Sequence, residues 1–424
     1  MSKQEIIQKT LRFFAKKILR KYKPRIIGIT GSVGKSTTKE MIFTVLEKKF
    51  HTRKSEKNYN NEVGIPLTII GVTGEKKNIL QWVGVFIQAI RVSFFSNNYP
   101  DVLVLELAAD QIGDIKYFCD FIPIEVGVLT NVGISHLENF KTKENIFKEK
   151  SYLLKQANKF VIYNKDNIDV EKIQKIITVD NKSYGLNNQA DFNITEVGYN
   201  YNKQNVLKGT IFKVIHGGKS ISGKLNNLMG RPYLYGVLAA VTVADYFDID
   251  LKEAIASLEN RTVMPGHMAL IKGIKNTSII DDTYNSAPAS VKEALGVTSE
   301  IEASRKIIVL GDMLELGKRE ASSHKLVGKK VADIKNSIFV AVGDKMKIAV
   351  DRFKKKVSNN QSRVYWFENS IEAGRFVQNL IKTGDLILVK GSQGMRMEKI
   401  VLEIMAEPNR KKELIVRQDK DWIE

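Results

Sequence analysis

The sequence predicts an α/β protein made of two successive, mostly parallel sheets. Three observations predict it. Short apolar runs alternate with stretches of helical periodicity from Arg25 onward, and a glycine-rich turn joins the first run to a helix. A Pro/Gly turn at Asn260–Gly266 then restarts the same alternation. At 424 residues the chain suits two or three domains, and its 43% hydrophobic and 27% charged residues match a globular protein with ample core.

Residues 3–22 place Ile6, Ile7, Leu11, Phe14, Ile18 and Leu19 at helical spacing among lysines and arginines, a basic amphipathic helix that Pro24 ends. This segment, 1–24, is expected to dock on the domain that follows; contact with an anionic membrane surface is the sharper alternative. Strands fit Arg25–Thr30, Val102–Glu106, Val126–Thr130 and Phe160–Tyr163. Gln81, Gln88 and Arg91 interrupt the apolar stretch Ile79–Ser96 at helical spacing, so it reads as a buried amphipathic helix and not as a membrane span. Residues 190–225 alternate polar and apolar side chains with Gly and Asn, as short antiparallel strands or a peripheral excursion would. A helix from about Leu234 to Phe247 closes a central domain, 25–260. In the last domain, 261–424, strands fit Ser278–Asp281, Lys306–Leu310, Ile338–Val342, Arg363–Trp366 and Asp385–Val389.

Sixty-six Lys and Arg against 47 Asp and Glu give a net charge of +19, which suits anionic partners such as nucleotides or phosphorylated substrates. The charge is spread along the chain without an Arg-rich tail or an aromatic-interleaved basic motif, so nucleic acid is not expected. Cys119 stands alone, which excludes an intramolecular disulfide and a Cys-based zinc site. The first residues have no uninterrupted apolar core and no small-residue cleavage site, so a cytoplasmic monomer is the default expectation.

The segment Ile26–Glu40, IIGITGSVGKSTTKE, carries the most chemistry. A strand delivers the chain into Gly31, Ser32, Val33 and Gly34, and a helix opens with Lys35, Ser36 and Thr37. Such glycines let backbone N–H groups cradle phosphate oxygens while the helix N-terminus adds partial positive charge. Lys35 would reach the β- and γ-phosphates of ATP, and the Ser36 hydroxyl would bind Mg²⁺. Ile29 stands where the longer G-x-x-x-x-G-K-[ST] pattern needs glycine, so this is the shorter T-G-x-x-G-K-S loop of a P-loop ATPase-type domain. Glu106, ending a strand near the loop, is placed as a second Mg²⁺ ligand, although a strand-end acid can simply be solvated. His136 follows another strand end, where a lone histidine is more often structural.

The loop, read with its T-T continuation, resembles that of the Mur ligases. Further segments are similar in order: NYNNEVGIPL (Asn58–Leu67), LELAADQIGDI (Leu105–Ile115), LTNVGISHLENF (Leu129–Phe140), IDDTYNSAPAS (Ile280–Ser290), LGDMLELG (Leu310–Gly317) with His324, and LVKGS (Leu388–Ser392). They look most like the branch that adds D-alanyl-D-alanine. The resemblance implies a Rossmann-like C-terminal domain and an ATP-dependent amide ligase of peptidoglycan precursor synthesis, working through an acyl phosphate. Its implied substrates are a UDP-linked muramoyl tripeptide and D-alanyl-D-alanine. It implies a second metal site at His136 and a carbamylated lysine at Lys150, with Lys148 and Lys155 as decoys. It also implies Asp282 on the nucleotide ribose, Tyr284 and Asn285 facing the nucleotide, and closure of the two domains over ATP.

Three departures from that pattern stand out. Only residues 1–24 precede the first strand, where the branch carries a domain for the UDP-linked sugar. The family's G-x-H-N-x-x-N reads Gly230-Arg231-Pro232-Tyr233-Leu234-Tyr235-Gly236, losing both asparagines, with Tyr233 as a substitute that would stack on the base. The arginine of P-G-R is His267. These leave two other readings open: an amide ligase for a different carboxylate–amine pair, and a nucleotide-binding module without catalysis.

Overall fold

A computed structural model describes residues 2–422 apart from 57–58, 75–77, 134–136, 188, 204–205, 262–263, 358–362 and 419–421. The chain divides into two compact units, one of residues 1–196, 212–223 and 232–261, the other of residues 197–211, 224–231 and 262–424.

The first sheet contains β1 (Arg25–Thr30), β2 (Thr52–Lys54), β3 (Val102–Glu106), β4 (Val126–Leu129), β5 (Phe160–Asn164), β6 (Asp180–Gly185), β7 (Phe192–Tyr201), β8 (Leu207–His216) and β9 (Lys219–Asn226). Their order is β2-β3-β1-β4-β5-β6-β7-β8-β9, with β1 parallel to both β3 and β4. Strands β1, β3 and β4 are continuous apolar runs because helices cover both faces of a parallel sheet; every residue of β3 and β4 is buried. The chain leaves β1 toward β2 and β3 on one side and returns to β4 on the other. The carboxyl ends of β3, β1 and β4 therefore form the crevice where such sheets bind ligands.

Residues 190–225 are not a short excursion: β7 and β8 run ten residues each and extend the edge of the sheet. Gly217 and Gly218, at φ 54° and 74°, make the two-residue turn into β9.

Helix α1 (Lys3–Tyr22) opens with a capping box, Ser2 with Glu5, and ends at Lys23 in the left-handed region. It docks as the spacing suggests, burying Leu11, Ala15, Ile18 and Leu19 in the core with Ile65 and Leu67 of α3 (Gly64–Ile70). Between them in sequence lies α2 (Lys35–Leu46), the helix after the glycine turn.

The apolar stretch expected as a buried helix forms α4 (Ile79–Ile90) and a π-helical turn (Arg91–Phe95), but it is not buried. Val85, Ala89, Val92 and Ser93 face the core, whereas Ile79, Leu80, Val83, Ile87, Ile90, Phe94 and Phe95 are exposed. The segment is apolar on both sides, and within its unit only one side has a partner. Three more helices frame the site: α5 (Asp114–Cys119), α6 (Lys143–Gln156) and α7 (Arg231–Tyr246).

The second sheet contains β10 (Ala269–Gly273), β11 (Thr277–Asp282), β12 (Lys306–Gly311), β13 (Ser337–Val342), β14 (Arg363–Phe367) and β15 (Leu386–Lys390). Their order is β10-β11-β15-β12-β13-β14, parallel except for the antiparallel pair β10–β11. Among the described residues no helix is long and apolar enough to cross a membrane.

Candidate nucleotide and metal site

The loop between β1 and α2 is fastened to the segment leaving β4. Ser32 Oγ accepts from the Gly133 N–H at 3.0 Å and donates to the Gly133 carbonyl at 3.1 Å. The Val33 N–H donates to Asn131 Oδ1 at 2.8 Å, and Thr130 Oγ1 donates to the Val33 carbonyl at 2.7 Å. Two positions demand glycine. A Cβ on Gly31 would sit 2.0 Å from Thr130 Oγ1, and Gly34 takes φ 84° at the N-cap of α2. No side chain caps that twelve-residue helix, so its first N–H groups and dipole are presented to an anion.

Lys35 folds back, its Nζ donating to the Gly31 carbonyl at 2.9 Å. Burial lowers its pKa, against the pull of Glu106 and Asp110. Glu106, paired in register with Ile29, projects from the end of β3 and is 2% exposed. Its Oε1 accepts from Ser36 Oγ at 3.1 Å and from Asn60 Nδ2 at 3.3 Å. Its Oε2 lies 3.4 Å from Lys39 Nζ but, though buried, accepts no hydrogen bond. That oxygen is ion-paired with Lys39 but accepts no hydrogen bond, so it keeps lone-pair capacity that a metal cation could take up. Two hard oxygens, Ser36 Oγ and Glu106, thus suit Mg²⁺.

Lys150, on α6, is 1% exposed. Burial and then the neighbouring Lys35 ammonium push its pKa down to about 8, against Asp110, Glu149 and Asp114. Carbamate formation requires the neutral amine, and the lowered pKa makes that form far more available near neutral pH than for an ordinary lysine. Adjacent Glu149 accepts from the N–H groups of Gly113 at 2.8 Å and Ile115 at 2.7 Å, fixing the start of α5. His136 lies outside the described residues. The structure therefore gathers Lys35, Ser36, Glu106 and Lys150 in one unit.

Sequence reasoning missed Lys39, Asn60, Asn131 and Glu149. Lys39 is one helical turn after Lys35, and Asn60 lies within the quoted Asn58–Leu67 segment, so spacing held a signal for both. Glu149 looked like any surface acid of α6.

The suggested base-stacking role of Tyr233 does not survive. Tyr233 is 2% exposed, packed inside α7, with the Arg261 guanidinium 6.0 Å from its ring centroid. At Gly236 a Cβ would lie 2.7 Å from Met41 Sδ, so α7 is seated closely on α2.

In the second unit, Asp282 ends β11 and pairs with Lys390 Nζ at 2.7 Å, while its Oδ1 accepts from the Met268 N–H at 3.3 Å. Lys390 also donates to the Asn285 carbonyl at 2.8 Å. Tyr284 and Asn285 are exposed, and Tyr284 stacks on His267 with ring centroids 4.5 Å apart. His267 lies with Nδ1 2.8 Å from the Pro265 carbonyl, and burial holds its pKa below the ordinary value. It is therefore neutral where an arginine would be charged. Arg417 brings a guanidinium to this place, donating to the Thr283 carbonyl at 3.0 Å and pairing with Glu398 at 3.1 Å. His324 is wholly buried, accepting from the Met313 N–H, and is structural.

A phosphate loop at the switch point of a parallel sheet, with a lysine, a hydroxyl and a buried carboxylate, defines a nucleotide-binding α/β protein. The model of the Mur ligase middle domain matches residues 29–80 and 88–244, and that of the Mur ligase glutamate ligase domain matches residues 266–393. The chain belongs to the Mur ligase family. It is 28% identical over 414 residues to the UDP-N-acetylmuramoyl-tripeptide–D-alanyl-D-alanine ligase of Bacillus subtilis (strain 168), covering 94% of this chain and 79% of that relative. The enzyme of the same name from Escherichia coli (strain K12) is 26% identical over 381 residues, covering 89% and 76%. The fold matches MurF of Thermotoga maritima, solved in complex with ADP, with a TM-score of 0.74, 23% identity and coverage of 95% and 84%.

Proposed function

We propose that this protein is an ATP-dependent amide ligase that joins D-alanyl-D-alanine to a UDP-N-acetylmuramoyl tripeptide. The observation that carries the reading is the Glu106 cluster: a buried carboxylate with a free acceptor, a hydroxyl and two depressed amines beside an uncapped helix N-terminus. The two relatives named for that reaction support the choice of substrates.

A carboxylate oxygen of the tripeptide attacks the γ-phosphorus of ATP, and ADP leaves. The amine of D-alanyl-D-alanine then attacks the acyl carbon, inorganic phosphate leaves with the bonding pair, and the amine proton passes to solvent. Lys35 and the first N–H groups of α2 bind the phosphoryl oxygens and stabilise charge gathering there. Ser36 and Glu106 would hold Mg²⁺, which supplies charge screening between triphosphate and carboxylate. Lys150, as its carbamate, and His136 would hold a second ion; the neutral amine adds to CO₂ and releases one proton. That anion would turn the repulsion between Lys150 and Lys35 into attraction. Asp282, Tyr284 and Asn285 are assigned to the nucleotide.

The test is phosphate release from ATP with UDP-muramoyl tripeptide, with and without D-alanyl-D-alanine, and mass spectrometry of the product. Turnover that needs both substrates and yields the pentapeptide is the expected result. ATP binding without turnover on that pair would redirect the assignment to another carboxylate–amine pair.

A further inference from the structure

We propose that the face formed by α1, α4 and the π-helical turn docks the protein on an anionic lipid surface. The proposal does not rest on the ligase reading. Along α4 and the turn, Ile79, Val83, Ile87, Ile90 and Phe94 recur every three or four residues and form one outward stripe. Exposure is high: 79% for Ile79, 62% for Ile87 and 77% for Phe95 beside the stripe. Helix α4 contains no charged residue, and its two polar side chains, Gln81 and Gln88, lie outside the stripe. A contiguous apolar surface of this kind marks an interaction site.

Helix α1 adjoins this stripe and supplies the charge. Lys17 lays its ammonium 3.6 Å from the Phe94 ring centroid, and the Tyr22 hydroxyl donates to the Val92 carbonyl at 2.8 Å. The outer ridge of α1 reads Ile6, Lys9, Phe13, Lys16, Arg20 and Lys23, with Ile6 half exposed and Phe13 61% exposed. Its acid, Glu5, sits in the first turn and belongs to the capping box. Aliphatic and aromatic side chains flanked by long cationic ones fit the boundary between lipid headgroups and acyl chains. A second copy of the chain fits poorly, because the cationic ridge of one would meet that of the other. No described helix can cross a bilayer, so the contact lies on the surface.

The experiment uses the full chain in sedimentation with vesicles of phosphatidylcholine, pure or containing one-third phosphatidylglycerol. Binding to the anionic vesicles about tenfold tighter than to neutral ones, weakening as salt rises, is the expected result. The pair Ile87→Ser with Phe95→Ser, and separately Lys16→Glu with Arg20→Glu, should each weaken binding about tenfold or more. All four side chains are exposed, so melting temperature and ATP binding should stay as in the parent. Equal or absent binding to the two vesicle types overturns the proposal, and this arm uses only the unaltered chain. So does lipid binding that survives both double variants. Self-association by light scattering that Phe95→Ser abolishes would also overturn it, making the face a contact between copies.

Discussion

Around Glu106, a buried carboxylate faces Lys39 at 3.4 Å with one oxygen accepting no hydrogen bond, and Lys35 and Lys150 nearby titrate below their ordinary values. Around Asp282, the carboxylate already meets Lys390 at 2.7 Å, Lys390 also holds the Asn285 carbonyl, and His267 is kept neutral. Both clusters put an acid at the end of a parallel strand with amines beside it. The first leaves buried charge incompletely matched, which favours binding of ions and phosphates. In the second, the Asp282 carboxylate and the Lys390 amine satisfy each other.

The contrast breaks most sharply at Lys35. Lys35→Ala should lower phosphate release on the order of 10³-fold while the melting temperature barely moves. A loss under about tenfold would mean that this amine does not serve the phosphates.

Lys150→Met should reduce turnover by about a hundredfold, the scale for a group that supports a metal. In bicarbonate, activity of the unaltered protein should rise through about pH 8, where Lys150 loses its proton, and not nearer the usual 10.5. Isotope-labelled bicarbonate should give a carbamate carbon signal that Lys150→Met removes. The linkage to stability has a definite sign. The folded pKa is depressed, so the unfolded chain binds more protons between about pH 8 and 10.5. Lys150 therefore destabilises the fold below pH 8, and that penalty fades as pH rises through this window; urea titrations at several pH values check it.

Asp282→Asn sharpens the other side. It should raise KM for ATP about tenfold with little change in kcat. It should also lower stability by about 3 kcal/mol, because Lys390 is left buried without its counter-charge. The smallest effect belongs to His267→Arg, which should tighten ATP binding by no more than about fivefold in calorimetry.

Much of this was legible in the sequence, and the exceptions share a cause. Strands β1, β3, β4 and β5 stood out because burial on both faces makes them apolar apart from their ends. Strand β2 is three residues, TRK, and β6 is DNKSYG with its first two residues exposed, so neither carries such a run. Ser36 could be singled out because loop chemistry dictates its spacing, and Glu106 because it ends an apolar strand run. Lys39 and Glu149 were not, because in so basic a chain burial alone distinguishes them, and burial is set by distant residues. The exposure of α4 was misjudged for the same reason, since a helix apolar on both sides does not reveal in its sequence which side is left bare.

The fastening of the phosphate loop to Asn131 and Gly133 has a thermodynamic consequence. Ser32, Val33 and Thr130 hold the loop's shape through the protein's own hydrogen bonds, so little chain ordering is left to the binding step. Nucleotide capture there should show a small heat-capacity change and an association rate governed by long-range attraction.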